Sequence, residues 1–114
     1  MTMNLSTETT AEARVQAMLH ELGVGIHRRG YQQLCIGIPM YAQNGSLSLC
    51  KELYPTIAKL QGYSDWRSVE RTIRSAICDA WCNSRPAVWA AYFPNAKKPP
   101  SNKEFIATLA ERMQ

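Results

Sequence analysis

Arg67, Glu70, Arg71 and Arg74 stand at i, i+3, i+4 and i+7, so at about 100° per residue they form one stripe of a helix. Their chemistry suits base reading. A guanidinium fork donates two hydrogen bonds to guanine O6 and N7, and a carboxylate accepts one from cytosine N4. Arg71 and Arg74 are candidates for guanine, Glu70 for cytosine, and Arg67 is a fourth reading position. The same four residues also fit a solvated face laced by ion pairs, such as Glu70 with Arg74 at i, i+4. The elements around the stripe decide between these readings.

Behind the stripe, Trp66, Val69, Ile73, Ile77, Ala80 and Trp81 recur at helical spacing. They predict a helix capped by Ser64 or Asp65 that runs to about Cys82. The preceding segment places Leu49, Leu53, Ile57 and Leu60 on one stripe after Ser46 or Ser48 as N-cap. Pro55 falls in its interior and is expected to bend it near Lys51. Gln61-Gly62-Tyr63 forms the turn, with Gly62 suited to a left-handed C-cap. A short helix, a tight turn and a longer helix that opens with long polar side chains make a helix-turn-helix.

Groove binding also needs backbone contacts. Ser48 and Lys51 at the start of the first helix are candidates to meet phosphate, as are Ser68, Lys59, Arg28, Arg29, Lys97, Lys98 and Lys103. Each fits a plain surface position as well. The three tryptophans, Trp66, Trp81 and Trp89, read as core rather than as base-stacking platforms, because no basic stripe is interleaved with them.

The rest of the chain is helical in pattern. Ala13, Ala17, Met18 and Leu22 mark a first amphipathic helix from about Thr10, ended by Gly23 and Gly25. Leu34, Cys35, Ile38 and Tyr41/Ala42 mark a second from Tyr31, kinked or interrupted at Pro39; Ile36 to Pro39 also fits a short strand. Asn83-Ser84-Arg85-Pro86 breaks the fourth helix, and Val88, Trp89 and Tyr92 face inward from a short fifth. Ser101 and Glu104 form a capping box for a sixth, whose face is Phe105, Ile106, Leu109, Ala110 and Met113. The expected fold is an all-α, six-helix bundle with helices three and four as the helix-turn-helix. It spans residues 10–114, after a polar, disordered tail over residues 1–9.

Bulk properties narrow the function classes. At 114 residues and 46% apolar composition the chain is one domain with one modest core. Its net charge of +4 rises to +6 when Glu8 and Glu12 at the N-terminal end are set aside, which suits a polyanionic partner. No apolar run approaches a membrane span and no secretory leader is recognisable, so a cytoplasmic location without membrane contact is expected. Cys35, Cys50, Cys78 and Cys82 are then reduced thiols, expected to fill small core positions. Cys78 and Cys82 lack the spacing of a metal site, so neither metal nor cofactor is expected. With no GxSxG, no P-loop and no paired carboxylates, the chain is not expected to be an enzyme.

Six blocks carry a family likeness: LHELGV (19–24), GY (30–31), LYPTIAK (53–59), VERTIRSAI (69–77), AW (80–81) and SNKEFIATLAERM (101–113). In order and spacing the chain resembles the C-terminal effector domain of the sporulation stage-zero response regulators, transcription factors of endospore-forming bacteria. The likeness runs from about Met18 to Met113. It implies a six-helix bundle that binds short promoter boxes in double-stranded DNA with the fourth helix in the major groove. It also implies a tandem homodimer touching partly through the C-terminal helix, and it places the loop flanked by Lys97-Lys98 and Lys103 near the DNA backbone.

Two departures stand out. The family has Ser-Arg before Val-Glu-Arg, whereas this chain reads Arg67-Ser68, and a one-position shift turns an arginine by about 100°. Arg67 is thereby aimed at a phosphate or at a different base. The receiver domain that controls dimerisation in the family has no room in this chain. The leading expectation is a sequence-specific bacterial transcriptional regulator. The alternative is an interaction module that keeps the fold and modulates a full-length regulator without reading DNA.

Overall fold

The structure, a computed structural model, describes the backbone of residues 2–113 except 84, and side chains from residue 11 onward. Among these residues it contains α1 (Thr2–Glu21), α2 (Arg29–Gln43), a π-helical turn (Leu49–Leu53), α3 (Tyr54–Gln61), α4 (Trp66–Asn83), α5 (Pro86–Tyr92) and α6 (Asn102–Arg112). There is no strand among them, so the all-α expectation holds. None of the helices is long and apolar enough to cross a membrane.

Several local expectations need correction. Helix α1 begins at Thr2, so the backbone of residues 2–9, expected as a disordered tail, continues the helix; Met1 lies outside the described residues. Once a helix is nucleated, each added residue costs little, and no Gly or Pro interrupts this stretch. The inward stripe of α1 is Val15, Met18, Leu19 and Leu22, and Ala13 and Ala17 are exposed. The larger side chains, at the i, i+3, i+4, i+7 positions, bury more apolar area than the alanine rotation would. Helix α2 runs unbroken through Pro39, so the strand reading of 36–39 fails.

The third segment differs most. Ser48 is the N-cap, its hydroxyl accepting from the Lys51 amide at 3.2 Å while Glu52 Oε1 accepts from the Ser48 amide at 2.9 Å. The chain then makes a wide turn, with Leu53 N–H bonding Ser48 O at 3.0 Å, before narrowing into α3. Pro55 therefore sits in the first turn of α3, where its missing N–H is tolerated, rather than bending a helix interior. Leu60, expected in the core, is 66% exposed because the π turn shifts the face that α3 presents.

Helix α2 is the hub, packing chiefly on α4 and α6. The core holds Leu34 and Ile38 of α2, Ile57 of α3, Val69, Ile73 and Ile77 of α4, and Phe105, Ile106 and Leu109 of α6, all fully buried. Each such side chain contributes roughly 1.5–3 kcal/mol relative to exposure. Trp89 is buried, donates its indole N–H to Leu22 O at 3.1 Å and stands edge-on to Trp81. Trp66 and Trp81 are half-buried against the same core. The thiols do not fill it: Cys50 and Cys82 are exposed, and Cys35 and Cys78 only half-buried. Ser84, inside the expected break after α4, lies outside the described residues.

Candidate nucleic-acid interface

The turn joining α3 to α4 is built as its residues require. Gly62 sits at φ 78°, and the Tyr63 amide reaches back to Ala58 O at 2.8 Å, closing the last turn of α3. The Asp65 carboxylate then accepts from the Arg67 amide at 2.9 Å and starts α4. The Tyr54 and Trp66 rings stack at 6.0 Å, so the first turns of α3 and α4 are packed together.

On α4 the buried side is Val69, Ile73, Ala76, Ile77 and Ala80. At about 100° per residue, Arg71 lies opposite that stripe and is exposed, while Glu70 and Arg74 flank it half-buried. An open concavity of about 870 Å³ runs beside them. Its walls are residues 46–50 and Tyr54 on one side, Glu70, Arg71 and Arg74 of α4, and Ser101, the N-cap of α6, with Asn102 and Lys103 of its first turn. The fold thus brings Ser48, Glu70, Arg71, Arg74 and Lys103 around one groove. Some of these groups are already engaged: the Ser48 hydroxyl caps the Lys51 amide, Arg74 Nη1 donates to Pro100 O at 2.5 Å, and the main-chain carbonyl of Glu70 accepts from Asn102 Nδ2 at 3.1 Å. Among the described residues no ion pair joins Glu70 to Arg74; the pair there is Arg28 with Asp79, at 2.8 Å.

The other expected residues lie elsewhere. The Arg67 guanidinium is 5.9 Å from the ring of its neighbour Trp66, and the Ser68 hydroxyl donates to Asp65 O at 2.7 Å. Lys51 and Lys59 are exposed on the π turn and on α3, outside the groove lining. Lys97 and Lys98 line a separate concavity of about 460 Å³ with Glu104 and Thr108. A third concavity, about 340 Å³, borders α4 on its next stripe and is lined by Arg28, Arg29, Gly30, Arg71, Thr72 and Ser75.

Asn102 was invisible to sequence reasoning. One residue after an N-cap reads as a solvent position, yet Asn102 is buried and its amide also donates to the Tyr54 hydroxyl at 3.1 Å. Burial raises the Tyr54 hydroxyl pKa, the Asn102 bond lowers it, and the Glu70 and Cys50 charges raise it further. At the neighbouring cap, bonds from the Ser101 amide and then its side chain hold Glu104 below the usual carboxylate range. Among the described residues no three His, Cys, Asp or Glu side chains are grouped to hold a metal. With this geometry in place, comparison with known families gives a match over residues 15–113 to the family described as "Sporulation initiation factor Spo0A C terminal".

Proposed function

The chain belongs to the Spo0A C-terminal family of DNA-binding effector domains, and from that premise we propose that it is a sequence-specific transcriptional regulator with α4 in the major groove. The observation that carries this reading is the exposure of Arg71 on the crest of α4, opposite the core stripe and bordered by a concavity on each side. A helix that fills the groove presents such a crest to base edges and its flanks to phosphates. Glu70 and Arg74, not paired with each other, keep acceptor and donor capacity for base edges; Arg74 spends one of five N–H donors on Pro100.

Ser48, Lys51, Lys59, Ser68, Lys97, Lys98 and Lys103 are assigned to the phosphates, and Arg67 to an outer base or a phosphate. Two copies side by side through α6 belong to the same proposal. Selection from random duplexes at moderate salt should enrich a short box, with copy number read from stepwise band shifts. Enrichment of no motif would sink sequence-specific reading. A shift seen only when a full-length regulator is added would mark the chain as an interaction module instead.

A further inference from the structure

Arg28 and Arg29 stand in the loop and first turn that lead into α2, and Gly30 brings them to α4. A Cβ on Gly30 would lie 2.6 Å from Ala76 Cβ and 2.9 Å from the Thr72 carbonyl oxygen, so α2 and α4 touch there at backbone distance. The arginines beside this contact spread along one side of α4. Arg28 Nη2 meets Asp79 Oδ2 at 2.8 Å, toward the far end of the helix, while the Arg29 guanidinium is 5.9 Å from the Tyr63 ring, at the turn. Between them lies the cleft of about 340 Å³, completed by Arg71, Thr72 and Ser75. No acid lines it, and Asp79 beside it is already paired with Arg28. Thr72 spends its hydroxyl proton on Ser68 O at 2.6 Å, while the Ser75 hydroxyl has no partner among the described residues.

We propose that this cleft is a phosphate subsite that grips the DNA backbone along one flank of α4, with Arg28 and Arg29 as its donors. The inference rests on α4 occupying the major groove. An α-helix with side chains is about 10–12 Å across and the groove about 12 Å wide, so a seated helix has a backbone strand along each flank. Three guanidinium groups against one carboxylate match a phosphodiester, whose oxygens accept the planar fork. Arg71 borders both concavities, which links base reading on one stripe to backbone grip on the next.

The test measures affinity for the selected box as a function of salt for the unaltered protein, Arg29→Gln, the double variant Arg28→Gln/Arg29→Gln, and Arg85→Gln as an equal-charge control per residue away from the cleft. The double variant should lower the slope of log affinity against log salt by about 1–2, each phosphate contact contributing about 0.9. It should bind about tenfold or more weakly while selecting the same box, with the affinity loss growing as salt falls. Neutral methylphosphonates placed singly along the duplex should reveal one or two phosphates that matter to the unaltered protein and not to the double variant. Slopes equal to the Arg85→Gln control, or the same phosphate sensitivity in both proteins, would overturn the subsite and leave groove reading intact. Failure of the unaltered protein to bind any duplex would overturn both. Arg29→Gln alone keeps the Arg28–Asp79 pair and serves if the double variant melts early.

Discussion

Asn102 donates its side-chain amide to the Tyr54 hydroxyl at 3.1 Å, joining the first turn of α6 to the first turn of α3. Its other amide proton goes to the Glu70 carbonyl, also at 3.1 Å, so one buried side chain holds both helices of the helix-turn-helix against α6. Asn102→Ala should lower stability by about 1–3 kcal/mol, because the buried Tyr54 hydroxyl and the half-buried Glu70 carbonyl both lose a donor. Tyr54→Phe removes one of the two bonds and should cost about 1 kcal/mol. Denaturant midpoints measure both; equal, negligible shifts would remove the node from the account of the fold.

Gly30 and Gly62 should fail for different reasons when given a methyl group. At Gly30 the Cβ meets the Ala76 side chain and the Thr72 backbone, which cannot swing aside, so Gly30→Ala must push α2 off α4 at about 1–3 kcal/mol or more. At Gly62 nothing lies within 4 Å of the Cβ, and only the positive φ of 78° is at stake. Gly62→Ala should cost roughly 1–2 kcal/mol. Thermal melts should rank Gly30→Ala as the more damaging, and only it should also disturb DNA binding through the α2–α4 contact.

Arg71 and Arg74 should separate by the work each does in the free protein. Arg71→Ala should relax preference at one base pair by about 1–3 kcal/mol and leave the melting temperature unchanged. Arg74→Ala should change both binding and stability, because its guanidinium holds the Pro100 carbonyl at the entrance to α6. Lys98→Ala should weaken all sequences alike. Affinities over single-base variants of the selected box, with melts in parallel, check all three.

Thiol reactivity should split two and two. Cys50 and Cys82 are exposed and should react first with an aromatic disulfide reagent. Cys35 should lag, since burial pushes its thiol pKa up against the smaller opposing effect of the Tyr31 hydrogen bond. Cys50 lines the groove beside α4, so bound DNA should slow its modification and not that of Cys82. Stopped-flow absorbance with and without duplex measures this.

Alkaline pH should loosen the α1–α5 contact. Tyr92 donates to Glu21 at 2.5 Å; burial, then the Glu21 carboxylate, pushes its hydroxyl up to about 12. The folded state holds this proton while the unfolded chain releases it near 10, so the contribution is complete below pH 10 and is lost between about 10 and 12. Tyr92→Phe should flatten that part of the stability–pH curve, and ultraviolet titration should show one late tyrosinate fewer than in the unaltered protein, where Tyr31 and Tyr54 are also raised.

Much of this molecule is written in local pattern. The α4 stripe, the Gly62 stop and the Ser101–Glu104 capping box stand as the residues indicate, because periodicity, positive φ and capping depend on neighbours within one or two turns. In α1 Met18 and Leu22 lie on the expected stripe, but Val15 and Leu19 take the places of Ala13 and Ala17, since alanines and larger aliphatics alternate there and only packing area chooses between them. The π turn is not legible in the sequence because Pro55 signals a disturbance without saying whether the chain bends or widens ahead of it.

By itself the sequence determined that the protein is all helical, where the helix-turn-helix lies, and that Glu70, Arg71 and Arg74 share a face. Tertiary structure decided what stands beside that face. Asn102 and Tyr54 are 48 positions apart, and Arg28 and Arg29 more than 40 from Arg71, so no short-range rule relates them. Their meeting follows from Gly30, which lets two helices close to backbone distance, and from the shared core on which α2, α4 and α6 pack.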